Sequence, residues 1–178
     1  MHPLIKKVLV SQEEIIQRSE ELGKQIEKDY ENDDAPLLVA LLRGSVPFLS
    51  ELIKHINIDI KYDFMDVSSY EGTESIGDIR IIKDLESSIK GLNILLVEDI
   101  VDTGHTIKTV KQMLINKGAK DVKIVTLLDK PSRRVVDIKA DYIGFEIENE
   151  FVVGFGLDFN QSYRNLPYVG VLKDECYK

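Results

Sequence analysis

The stretch "ILLVEDIVDTGHTI", residues 94–107, decides how this chain reads. Four apolar residues, Ile94 to Val97, run straight into Glu98 and Asp99, and a third acid, Asp102, is followed by Thr103, Gly104 and Thr106. A short, continuous apolar run bounded by turn residues reads as a strand buried on both faces. Ile107, Val110 and Leu114 then recur at helical spacing, and Gly118 is placed to end that helix. The unit is therefore strand, turn, helix, with carboxylates gathered at the join.

Working outward, "PLLVALL" (36–42) and "VKIVTLL" (122–128) repeat the buried-strand pattern. Ser11 and Glu14 form a capping box ahead of a helix whose Ile15, Leu22 and Ile26 share one face. "VPFLSELIKHI" (46–56) reads as a second helix with Pro47 in its first turn. "IDIKYDFMDV" (58–67) alternates as a strand does, and "SSYEGTESIGD" (68–78) is a polar, glycine-containing loop. The segments "DYIGFEI", "EFVVGFG" and "YVGVL" are short strands late in the chain. Apolar runs separated by helices predict an α/β, doubly wound and mainly parallel sheet in a single domain over 1–178. In such sheets ligands bind beyond the carboxyl ends of the strands.

Composition narrows the function. With 178 residues, 43% hydrophobic and 30% charged, the chain is long enough for a sizeable core. A net charge of -8 argues against a nucleic-acid partner, whose binding rests on neutralising phosphates. No apolar run reaches the roughly 18 residues of a membrane span, and the start "MHPLIKKVLV" does not read as a signal peptide. The single cysteine, Cys176, fits a reducing compartment, so a cytoplasmic location is expected.

The three apolar runs end in "RGS" (43–45), "EDIVDTGHT" (98–106) and "DKPSRR" (129–134). Between a strand and a helix, the amides and hydroxyls of Asp102–Thr106 make a phosphate cradle. Glu98 and Asp99 would repel a bare phosphate, so they face sugar hydroxyls, a divalent cation, or both. A plain helix cap at Asp102 and Thr103, and solvated charges at Glu98 and Asp99, account for the same residues more simply.

"LLVEDIVDTGHTI" resembles the phosphoribosyl-pyrophosphate signature of the type I phosphoribosyltransferases. "LLRGS" (41–45), "SSY" (68–70), "LLDKPSRR" (127–134) and "EFVVGFGLDFNQSYRNLPYVGVL" (150–172) resemble hypoxanthine-guanine phosphoribosyltransferases in particular, in that family's order. The resemblance implies transfer of ribose 5-phosphate from phosphoribosyl pyrophosphate to a 6-oxopurine, with magnesium (Mg2+) as cofactor. It also implies a small hood formed by late and terminal segments, and a homo-oligomer, dimer or tetramer.

By the same resemblance Asp102 is the general base toward purine N7. Thr103, Gly104 and Thr106 hold the 5-phosphate, and Glu98 and Asp99 engage the ribose hydroxyls and magnesium. Arg43 and Gly44 form the pyrophosphate loop, with a non-proline cis peptide between Leu42 and Arg43. Lys130 contacts the purine 6-oxygen, Phe151 stacks on the purine, and the Val152 backbone reads its edge. Asp158 is a second magnesium ligand and Arg164 a pyrophosphate contact. Ser69 and Tyr70 belong to a loop that folds over the active site. Taken singly, Arg43, Lys130, Asp158 and Arg164 would be surface charges, and Phe151 would be core. His105 and Glu150 stand where some family members carry Lys.

Two readings of other classes compete. A phospho-acceptor receiver module would separate its acid pair from the acceptor aspartate, whereas here the three acids lie between 98 and 102. A nucleotide-sensing repressor domain meets the lack of a visible DNA-binding segment. Within the resembled fold, a phosphoribosyltransferase for another base or an RNA-binding pyrimidine regulator is the runner-up, with the acidic balance against RNA and Lys130 with Phe151 favouring an oxopurine.

Overall fold

A computed structural model describes residues 1–69 and 79–177. The elements in chain order are β1 (Ile5–Val10), α1 (Gln12–Asp29), β2 (Leu37–Leu41), α2 (Val46–Leu52), β3 (Lys61–Ser69) and β4 (Ile79–Lys83). They continue with β5 (Asn93–Val101), α3 (His105–Asn116), β6 (Asp121–Asp129), β7 (Tyr142–Glu146), β8 (Val152–Val153) and β9 (Val169–Leu172).

Six strands form one sheet in the order β4-β3-β2-β5-β6-β7. β2, β3, β5, β6 and β7 run parallel, and β4 closes one edge antiparallel to β3. The continuous apolar runs are explained by burial of both faces. In β5, Leu95 and Val97 pack with Ile15, Leu22 and Ile26 of α1 and Phe48 and Leu52 of α2. Ile94 and Leu96 pack on the other side with Ile107, Val110 and Leu114 of α3. The doubly wound sheet expected from the sequence is present.

α1 begins as expected. Ser11 accepts from the Glu14 amide, and Glu14 reaches back to the Ser11 amide. Three boundaries differ. The helix over 46–56 is α-helical only to Leu52 and tightens into a 3-10 turn at Ile53–His55. The strand expected from Ile58 starts at Lys61. The strand expected over Asn93–Val97 runs on to Val101, so Glu98 and Asp99 lie inside it rather than beyond its end. Ladder pairing with β6 holds that extension, as Glu98 pairs with Thr126 and Val101 with Asp129.

A second, three-stranded antiparallel sheet has the order β1-β9-β8. It is the expected hood. The first strand, β1, was not evident in the sequence, because only Ile5 and Val10 of "IKKVLV" are buried. Register shifts at both ends of its pairing with β9 break the alternation that would have marked it. Among the described residues, no helix is long and apolar enough to cross a membrane.

Candidate active site

The parallel strands β2, β5 and β6 point their carboxyl ends at one edge, and the three polar segments meet there. The peptide between Leu42 and Arg43 is cis, as the resemblance implied. Gly44 follows it against the end of β5. A Cβ at Gly44 would lie 1.7 Å from Asp99 Oδ2, so any other residue there would push that carboxylate out of place. Ser45 is fully buried, and its hydroxyl donates to the Leu41 carbonyl.

Beyond β5 the chain turns into α3 through Gly104, at φ +88°. No side chain caps that helix, so Asp102 and Thr103 are not a helix cap. A cavity of about 170 Å³ opens there, lined by Glu98, Ile100, Asp102, Thr103, Gly104 and Thr106 among others. Its volume suits a small anion held by amides, hydroxyls and the positive end of the helix dipole. Glu98 Oε2 is buried without a hydrogen-bond partner. Burial, and then the neighbouring Asp99 carboxylate, push the Glu98 carboxyl well above the usual carboxylate range. Burial also raises Asp99, against the pull of its hydrogen bonds and of Arg164. Two crowded acids with an unpartnered oxygen form a donor set suited to a hard cation or to hydroxyl donors.

A second cavity, about 470 Å³, lies alongside and is lined by Ile100, Asp102, Lys130, Phe151, Val152 and Tyr177 among others. Ile100 and Asp102 line both cavities. Lys130 is 7% exposed, and its Nζ donates to the Glu150 carbonyl at 2.7 Å. Burial lowers its pKa. Phe151 is half-exposed and stacks on Tyr177, with centroids 4.6 Å apart and planes 20° apart.

The hood supplies the third side. Gly156, at φ +100°, packs so closely that a Cβ would sit 1.9 Å from the Gly44 carbonyl oxygen. Arg164 Nη1 donates to the Gly156 carbonyl at 2.6 Å, and Nη2 pairs with Asp158 Oδ1 at 2.9 Å. Asp158 is thus joined to Arg164 rather than gathered with Glu98 and Asp99. Among the described residues, no three His, Cys, Asp or Glu side chains form a metal cage of their own. Tyr70 and the rest of the expected lid lie outside the described residues, while Ser69 ends β3 in register with Ile79.

A phosphoribosyl transferase domain model matches residues 7–160. The hypoxanthine-guanine phosphoribosyltransferase of Lactococcus lactis is 60% identical over 174 residues, 97% of this chain and 94% of that protein. The chain belongs to the hypoxanthine-guanine phosphoribosyltransferase family. The Streptococcus thermophilus family member is 54% identical, over 97% of this chain and 96% of its own. A crystal structure of a hypoxanthine phosphoribosyltransferase from Staphylococcus aureus superposes with a TM-score of 0.94 at 50% identity, covering 100% of this chain and 97% of that one.

Around this phosphoribosyltransferase site stand side chains that sequence reasoning missed. Arg133 Nε donates to Asp102 Oδ1 at 2.9 Å. Arg134 is paired with the buried Asp129 and donates to the carbonyls of Asp102 at 3.0 Å and Val101 at 3.2 Å. Both arginines lie in the quoted "LLDKPSRR", but nothing in that string says which of them turns inward. A separate cavity of about 510 Å³, lined by Lys24, Tyr30, Ala35 and Ile58 among others, lies where the chain enters β2 and β3. That is the amino end of the parallel strands, away from the phosphoribosyltransferase site.

Proposed function

We propose that this enzyme salvages purines. It transfers the 5-phosphoribosyl group of phosphoribosyl pyrophosphate to hypoxanthine, guanine or both, giving IMP or GMP and pyrophosphate. One observation carries the reading: Asp102 lines both the anion-sized cavity and the aromatic cavity. A group that serves a purine while the sugar phosphate is bound must stand at that boundary.

The chemistry follows from the placement. Thr103, Gly104 and Thr106 hold the 5-phosphate at the start of α3. Arg43, Gly44 and Arg164 hold the pyrophosphate between the 42–45 turn and the hood. Lys130 donates to the purine 6-oxygen, Phe151 stacks on the ring, and the Val152 backbone meets its edge. The bond from ribose C1 to the pyrophosphate oxygen breaks as purine N9 bonds to C1, and the N7 proton passes to Asp102. Aspartate is a weak base, so it assists only as the forming bond acidifies the purine.

Glu98 and Asp99 engage the ribose hydroxyls and would hold one magnesium, while Asp158, beside Arg164, would meet a second; the ion would neutralise charge on the departing pyrophosphate. Among the described residues there is no protein-only cage, and magnesium is usually held by one or two carboxylates together with substrate phosphates. A cytoplasmic location, one domain over 1–178 and a homo-oligomer (dimer or tetramer) complete the reading. The single domain is supported by a shared core, in which Val152 and Val169 of the hood pack with α1 and α2 residues. The exposed Tyr62 and Ile82 on β3 and β4 suit a partner subunit.

The direct test is to mix the enzyme with phosphoribosyl pyrophosphate, magnesium and hypoxanthine and to follow IMP and pyrophosphate together. Equal release of both is the expected result. Pyrophosphate release without IMP would overturn the transfer.

A further inference from the structure

Phe151 carries the stacking surface of the purine cavity, yet it is half-exposed and its own plane needs fixing. Two rings fix it. Tyr177 covers one face at 4.6 Å and 20°, and Phe159 meets its edge at 5.6 Å and 89°. Tyr177 belongs to none of the motifs that point to the function. It is held from β9 onward by the 3-10 turn Asp174–Cys176, where its hydroxyl donates to Asp174 Oδ1 at 3.0 Å and its amide to the Asp174 carbonyl at 3.2 Å. It also lines the cavity that holds Asp102 and Lys130.

We propose that Tyr177 is a positioning residue for the purine, stacked behind Phe151 so that the base enters as the third layer of the stack. This rests on the purine reading of the cavity. A flat base gains from stacking only against a ring that is already parallel to it. An unsupported phenylalanine would have to be ordered at the moment of binding, and that cost would weaken the purine alone. The edge contact with Phe159 stops the ring sliding sideways, and the face contact with Tyr177 stops it tilting. Lys130 and the Val152 backbone then meet a base whose plane is set in advance. The opposing geometry puts Tyr177 in the purine's own place, as a plug, and it predicts the opposite sign.

The test compares wild type, Tyr177→Ala, Tyr177→Leu and Tyr177→Phe as full chains. KM for hypoxanthine, KM for phosphoribosyl pyrophosphate, kcat and thermal midpoint are read on each. Tyr177→Ala and Tyr177→Leu should raise the hypoxanthine KM about 2- to 12-fold, the worth of one aromatic pair. KM for phosphoribosyl pyrophosphate should stay within about twofold, and Tyr177→Phe should behave as wild type. Should Tyr177→Ala fail to fold, Tyr177→Leu, which keeps a branched apolar side chain without the flat ring, decides. An unchanged hypoxanthine KM with a lowered thermal midpoint would reduce Tyr177 to a structural part, and a lowered KM would make it the plug. Either result overturns the proposal while leaving the purine reading intact. A wild type that uses neither hypoxanthine nor guanine would remove both.

Discussion

Asp102 stands where two cavities meet, and one of its oxygens already accepts from Arg133. Replacing it by Asn keeps the shape and removes the base. Asp102→Asn should therefore lower kcat by roughly 10²- to 10⁴-fold while leaving phosphoribosyl pyrophosphate binding near wild type. Near-normal turnover, measured under saturating substrates, would exclude the role. Glu98 allows a test without substrate. Because burial raises its carboxyl in the folded state, the neutral form is the favoured one there. Its contribution to stability is full below the ordinary glutamate pKa of about 4.3 and is lost as pH climbs toward the raised value. Glu98→Gln cannot ionise, so its thermal midpoint relative to wild type should rise steadily with pH, with metal and substrate absent. A difference that stays flat from acid to neutral pH would show that Glu98 is not held in its neutral form. The acids and the Asp-Thr-Gly turn were legible in the sequence, since residue type and spacing alone define them. Arg133, Arg134 and Tyr177 were not. Their roles come from where the β6 loop and the 3-10 turn after β9 place them, and no local pattern encodes that.

At the scale of elements, the site depends on keeping the ends of β5 and β6 together. Arg134 does this from the loop after β6. It pairs with Asp129 at the end of β6, and it donates to the carbonyls of Val101, the last residue of β5, of Asp102 just after it, and of Ile138 at 2.6 Å. Asp129 is 5% exposed, so removing its partner strands a buried charge. Arg134→Ala should cost about 3–5 kcal/mol in urea denaturation, whereas Asp129→Leu combined with Arg134→Met should cost much less. A loss under about 1 kcal/mol for the single variant would mean that the pair is only a surface contact. The same element explains what the sequence reveals and what it hides. β2, β5 and β6 were readable because burial on both faces makes them apolar without interruption. β5 was read too short because Glu98 and Asp99 interrupt its apolar run, and polar side chains there look like a strand end. β1 was missed because lysines occupy much of it and bulges break its alternation.

For the whole molecule, the sheet offers strand ends and the hood closes over them. The order of apolar runs and helices was enough to foresee the sheet. The hood was foreseen only through resemblance, since its strands are as short as Val152–Val153 and it joins segments from opposite ends of the chain. Backbone contact between Gly156 and Gly44 binds the two layers where pyrophosphate would lie. On the proposed reading, the selectivity of the enzyme would come from the same meeting. Lys130 follows β6 of the sheet and Phe151 and Val152 belong to the hood, and a purine in the cavity they share would have to satisfy both. A buried ammonium donor suits a 6-oxygen and opposes the 6-amino group of adenine, and a site built on such a bond rejects a wrong partner strongly. The measurement that tests this most directly offers hypoxanthine, guanine and adenine in parallel with phosphoribosyl pyrophosphate and magnesium, and compares kcat/KM for nucleotide formation. Hypoxanthine or guanine should exceed adenine by at least roughly 10²-fold, and adenine use comparable to theirs would contradict both the Lys130 assignment and the preference for 6-oxopurines.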